Sequence, residues 1–103
     1  MTLAEVETAV REGAQVVAIV FDNERYGMIR SWQERRGSGV GVATELGPVD
    51  FAAVGRACGA RGVRVERDAD FEVALRTAWA ADRPTVIQLA LDRAWGSVDQ
   101  PPA

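Results

Sequence analysis

Apolar positions along this chain alternate between two rhythms. Leu3, Val6 and Val10 recur at helical spacing, and Thr2-Leu3-Ala4-Glu5 has the spacing of a capping box, with Thr2 as N-cap and Glu5 reaching back. Gly13 is placed to end that helix. Gln15 to Phe21 is a short, β-branched run too uniformly apolar for a half-exposed strand, so it is expected inside a parallel sheet. A loop, Asp22 to Tyr26, follows, and then a short helix over about Gly27 to Arg35. Gly37-Ser38-Gly39-Val40-Gly41 reads as a flexible stretch.

Pro48-Val49-Asp50 introduces another helix, with Phe51, Val54 and Ala57-Cys58 on one face and Gly59 after it. A strand is expected over Gly62 to Glu66. Asp68 is placed to cap a helix running to about Asp82 and burying Phe71, Leu75, Ala78 and Trp79. Pro84 leads into a last strand, Thr85 to Leu91, and residues 92–103 form a tail containing Trp95. Strands joined by helices predict an α/β fold: a partial doubly wound parallel sheet flanked by helices. Only three strands are visible where such sheets usually have five or six, and the first clear element is a helix. The first strand of the domain is therefore expected to be missing.

Composition narrows the chemistry. At 103 residues and 48% hydrophobic, the chain suits one small domain. No apolar run approaches a membrane span, and the acidic N-terminus lacks the order of a secretion signal. The single cysteine, Cys58, fits a reducing compartment and reads as a small buried residue, so a cytoplasmic location is expected. There is no His, and all 12 basic residues are Arg. That removes histidine bases, Ser-His-Asp triads, Schiff-base lysines and the phosphate-loop lysine. A net charge of −3 with dispersed arginines argues against a nucleic-acid surface.

The richest segment is VVAIVFDNERYGMIRSWQ, Val16 to Gln33. A strand empties into Asp22-Asn23-Glu24-Arg25-Tyr26, and Gly27 opens a helix. A carboxamide, carbonyls and a helix N-terminus at the carboxyl end of a strand are where open α/β sheets bind phosphorylated ligands. Taken alone, Asn23 is better explained as a turn residue, and Met28, Ile29 and Trp32 as one core stripe. Asp50 and Asp68 read as caps, and Arg35-Arg36 as a solvated helix end. The rest of a calcium loop is missing.

AEVETAVREGAQVVAIVFDNERYGMIRSWQ, LGPVDFAAVGRACGARGVRV, DRPTVIQLAL and the WGSVDQP tail together resemble the C-terminal cofactor domain of thiamine diphosphate-dependent enzymes. The similarity is to the acetolactate synthase, benzoylformate decarboxylase and pyruvate decarboxylase group, and it covers essentially the whole chain. That family's signature is a strand ending in Gly-Asp-Gly, a helix, a second strand, then Asn-Asn. Asp22-Asn23 falls at the Asn-Asn position.

The resemblance implies thiamine diphosphate and Mg²⁺ as cofactors. It implies that the Asn23 side chain and the Arg25 carbonyl are metal ligands, with the amides of Tyr26, Gly27 and Met28 added toward the diphosphate. Gly27-Met28-Ile29-Arg30-Ser31-Trp32-Gln33 resembles the acetolactate synthase pattern Gly-Met-Val-x-x-Trp-Gln, implying that Ile29 and Trp32 border the substrate pocket, near Met28. The implied enzyme decarboxylates a 2-oxo acid and releases an aldehyde or joins the product to a second carbonyl compound. It works as a homo-oligomer, a dimer or tetramer, with active sites between subunits.

Three departures stand beside these matches. Met1 falls where Gly-Asp-Gly has just finished, so the aspartate ligand is absent. The domain whose Glu activates the cofactor does not fit in 103 residues, and Asp22 replaces the usual first Asn. The expectation is a partial C-terminal thiamine diphosphate-binding domain over 1–103, inactive as an isolated chain and prone to self-association. The alternatives are a subunit of a split enzyme and a non-catalytic interaction module that has lost the cofactor.

Overall fold

The computed structural model describes residues 4–37 and 43–92. The chain divides into two compact units, residues 1–21 with 50–90 and residues 22–49 with 91–103. The expected Thr2 cap, the glycine stretch at 38–41 and the WGSVDQP tail lie outside the described residues.

The first unit contains α1 (Ala4–Arg11), β1 (Val17–Asp22, whose last residue passes into the second unit), α3 (Phe51–Ala57), β2 (Arg61–Val65), α4 (Asp68–Trp79) and β3 (Thr85–Ala90). The second contains α2 (Gly27–Arg36). The strands form an open three-stranded parallel sheet in the order β1-β3-β2. β2 pairs with β3 from Arg61 opposite Thr85 to Val65 opposite Leu89. On the other side of β3, Thr85 N–H donates to the Val16 carbonyl and Leu91 N–H to the Asp22 carbonyl.

The central strand is covered on both faces, which explains its continuous run of buried residues, Thr85 to Gln88. Ile87 packs with Val65, Ala74 and Ala78, placing α4 on one face, and Val17, Ile19, Val63, Phe71, Leu75 and Leu89 pack around that cluster. Val86 and Gln88 meet α3 on the other. A Cβ at Gly55 would stand 2.8 Å from Val86 Cγ2, and the buried Gln88 Oε1 accepts from Ala52 N–H at 3.3 Å. The adjacent Ala53 N–H is capped by Asp50 Oδ1 at 2.9 Å. Gly13 (φ +70°) and Gly59 (φ +91°) follow α1 and α3 in the left-handed conformation that ends helices.

Five expectations are corrected. β1, expected inside the sheet, lies at its edge among the described strands, and Phe21 is 66% exposed. β3, equally β-branched, takes the interior place, hydrogen-bonded to β2 on one side and to β1 on the other. α3 buries Ala52 and Gly55 rather than a Phe51-Val54-Ala57 stripe, because the backbone of β2 approaches too closely for larger side chains. α4 ends at Trp79, which is 74% exposed rather than core; Ala78 is buried as expected, Phe71 and Leu75 are half-buried against the core, and Ala74 joins them. Asp68 is the first residue of that helix and not its cap, a position held by Arg67 without a side-chain hydrogen bond. Cys58 is half-buried at the end of α3.

Candidate functional site

The candidate residues fall in the second unit, where an acidic-amide turn meets the start of α2. Two side chains fold back on the turn: Asp22 Oδ1 accepts from Glu24 N–H at 3.0 Å, and Asn23 Oδ1 faces the Arg25 N–H at 3.4 Å. These are the local bonds that make Asp and Asn favoured in turns. Between them Glu24 takes φ 59°, a left-handed conformation uncommon for any residue but glycine. The chain thus reverses sharply enough to bring the Asn23 amide oxygen beside the Arg25 peptide.

Segment 43–46 holds that turn from outside. Arg25 and Glu45 form an isolated antiparallel bridge, flanked by Tyr26 N–H to the Thr44 carbonyl and Leu46 N–H to the Glu24 carbonyl, each 2.8 Å. In this type of pair the bonding groups belong to the neighbours. Arg25's own N–H and C=O therefore point away from Glu45, toward the side where Asn23 Oδ1 sits. The side chain goes the other way: Arg25 is largely withdrawn from solvent and its Nη2 lies 3.1 Å from Glu45 Oε1. Glu45 Oε1 also receives Arg30 Nη1 at 2.5 Å, and Arg30 Nε reaches Glu34 at 2.8 Å along α2.

α2 begins with Tyr26 as N-cap, without a side-chain capping bond and without an acidic residue in its first turn. The Tyr26 N–H, expected as a diphosphate donor, donates instead to Thr44. The backbone of Gly27 and Met28 forms the first helical residues. Further along, Ile29 and Trp32 are each 54% exposed, so the alternative that they are core residues of this chain does not hold. With Gln33 and Arg36 they line an open groove of about 450 Å³, and the Arg36 guanidinium stands 4.7 Å above the Trp32 ring.

Asn23, Arg25, Tyr26, Gly27 and Met28 are therefore contiguous around one turn, with Ile29 and Trp32 on the helix it opens. Thr44 and Glu45 were missed, because a pairing across the glycine stretch leaves no periodic signal. The donor set suits a hard cation: a carboxamide oxygen and a peptide carbonyl, both oxygen ligands. Among the described residues no cluster of three or more His, Cys, Asp or Glu could hold a metal. An ion at this turn would draw its remaining ligands from the bound molecule and from outside those residues. No helix among the described residues is long and apolar enough to cross a membrane.

Comparison with known proteins bears on this turn. The chain is 37% identical over 91 residues to the catabolic acetolactate synthase of Raoultella terrigena, covering 85% of this chain and 16% of that protein. It is 36% identical over 100 residues to the sulfoacetaldehyde acetyltransferase of Castellaniella defragrans, covering 93% and 17%. The thiamine diphosphate-dependent 4-hydroxybenzoylformate decarboxylase of Rhodococcus jostii RHA1 superposes with a TM-score of 0.81 at 28% identity, covering 87% of this chain and 17% of that one. The chain thus spans about one-sixth of the length of these relatives. Residues 1–89 match the family described as thiamine pyrophosphate enzyme, C-terminal TPP binding domain, and the chain belongs to that family.

Proposed function

We propose that this chain supplies one half of a magnesium–diphosphate anchor in an enzyme acting on 2-oxo acids by decarboxylation, carboligation or both. The observation that carries the reading is the turn itself. Asn23 Oδ1 lies beside the Arg25 peptide, and the bridge to Glu45 leaves the Arg25 carbonyl on that side. Asn23 and Arg25 would hold Mg²⁺ through these two oxygens. Gly27 and Met28 would present first-turn amides to the diphosphate, where the helix dipole favours negative charge. Tyr26 sets the entry angle of α2 through its bond to Thr44.

Thiamine diphosphate, when bound, supplies the electron sink for breaking the bond to the carboxylate. The chain's own part is positional. It fixes the diphosphate end, and Ile29 and Trp32 offer an apolar wall that would exclude water beside the substrate. An aspartate ligand and an activating glutamate would come from outside residues 1–103, in a cytoplasmic homo-oligomer. By itself the chain would show no turnover.

Thermal melting with thiamine diphosphate and Mg²⁺ tests the reading. Selective binding to the folded state at a hundred times Kd stabilises by about 2.7 kcal/mol. A rise in Tm that needs both components, and that a chelator abolishes, is expected. An unchanged Tm across the solubility range of the cofactor would overturn it.

A further inference from the structure

The turn that carries the two oxygens is braced from the far side of the glycine stretch. Glu45 binds two guanidinium groups, Arg25 in the turn and Arg30 one helical turn into α2, through the same carboxylate oxygen. The Arg25 side chain is only 17% exposed, and its Nε is buried without a hydrogen-bond partner. Glu45 is therefore the anionic partner of a guanidinium largely removed from water. Loss of one partner from such a pair leaves an uncompensated charge, which must move out to solvent. The Arg25 backbone beneath that guanidinium lies between the Asn23 contact and the Tyr26–Thr44 bond, so the packing Arg25 provides there would go with its side chain. Thr44, next to Glu45, is fully buried and fixes the other side of the same bridge.

We propose that Glu45 is a positioning residue for the Asn23 and Arg25 oxygens, holding the turn in its metal-binding shape by bridging Arg25 and Arg30. The inference rests on the proposed function. It adds that metal–diphosphate affinity depends on a carboxylate that is not a ligand and that lies beyond the glycine stretch.

The test uses the whole chain and two readouts. Mn²⁺ replaces Mg²⁺ as a paramagnetic probe, and broadening of the Asn23 and Arg25 amide resonances is titrated in the presence of thiamine diphosphate. Amide exchange at Tyr26 and Leu46 is followed without either ligand, with the Thr85 amide, bonded to Val16, as the reference for global folding. Glu45→Ala is expected to weaken Mn²⁺ binding about tenfold or more, the usual effect of removing a group that orients a ligand. It should also speed exchange at Tyr26 and Leu46 while Thr85 stays protected. Glu45→Gln, which keeps an acceptor oxygen and loses the charge, should fall between. Glu72→Ala, which breaks an exposed ion pair with Arg76, should change neither readout.

Wild-type binding matched by Glu45→Ala would overturn the inference while leaving the proposed function standing. A wild-type chain that shows no broadening would overturn the proposed function itself. Unchanged exchange at Tyr26 and Leu46 in Glu45→Ala would overturn the bracing role regardless of ligand.

Discussion

Gly62 on β2 lies so close to α3 that a Cβ there would stand 1.9 Å from the carbonyl oxygen of Ala52. No side-chain rotation relieves a clash with backbone. The helix would have to lift from the sheet, taking the Ala52–Gln88 hydrogen bond with it. Gly55 makes a milder version of the same approach, at 2.8 Å from a Val86 methyl. Gly62→Ala is therefore expected to cost more than Gly55→Ala in chemical denaturation, about 3 kcal/mol or more against about 1–3 kcal/mol. Equal losses would mean that α3 is free to shift.

The start of α3 gives a second ordering. Two of its first amides are satisfied from different directions, Ala53 by Asp50 on the surface and Ala52 by the fully buried Gln88. Asp50→Ala exposes its amide to water and should cost about 1 kcal/mol, the usual worth of a cap. Gln88→Leu strands the Ala52 N–H in the interior, and a buried unsatisfied donor costs about 1–3 kcal/mol. Denaturation midpoints of the two variants check this, with Gln88→Leu the lower.

Much of this was legible in the sequence, and the failures share a cause. The strand, turn and helix around Asn23 were readable because turn chemistry and hydrophobic runs are local signals. What could not be read was how near one element comes to another. Ala52 and Gly55 form the buried side of α3 because Gly62 and Val86 press against it, whereas periodicity favoured the larger Phe51 and Val54. Trp79 has the spacing of a core residue, yet it is exposed, and Ala74 joins the expected Phe71, Leu75 and Ala78 against the sheet. β1 and β3 each carry three β-branched residues, and it is the strand order that distinguishes edge from centre. The partnership of Glu45 with Arg25 and Arg30 crosses a glycine-rich segment and depends on long-range pairing alone.

Glu24 should reverse the usual rule that alanine is tolerated better than glycine. Its φ of 59° carries a Cβ penalty of about 1–2 kcal/mol that glycine does not incur. Glu24→Gly is expected to melt at a higher temperature than Glu24→Ala, by a difference equivalent to about 1 kcal/mol. Greater stability of the alanine variant would show that the turn does not hold this conformation in solution.

The most direct test of the central claim is isothermal titration of thiamine diphosphate into the chain in Mg²⁺ buffer, comparing wild type with Asn23→Ala. If the Asn23 amide oxygen is a metal ligand, binding should require Mg²⁺ and weaken about tenfold or more in the variant. The melting temperature without ligand is measured alongside, because the variant also loses the 3.4 Å turn bond to Arg25. Equal affinity in the variant, or wild-type binding that survives a chelator, would contradict the account.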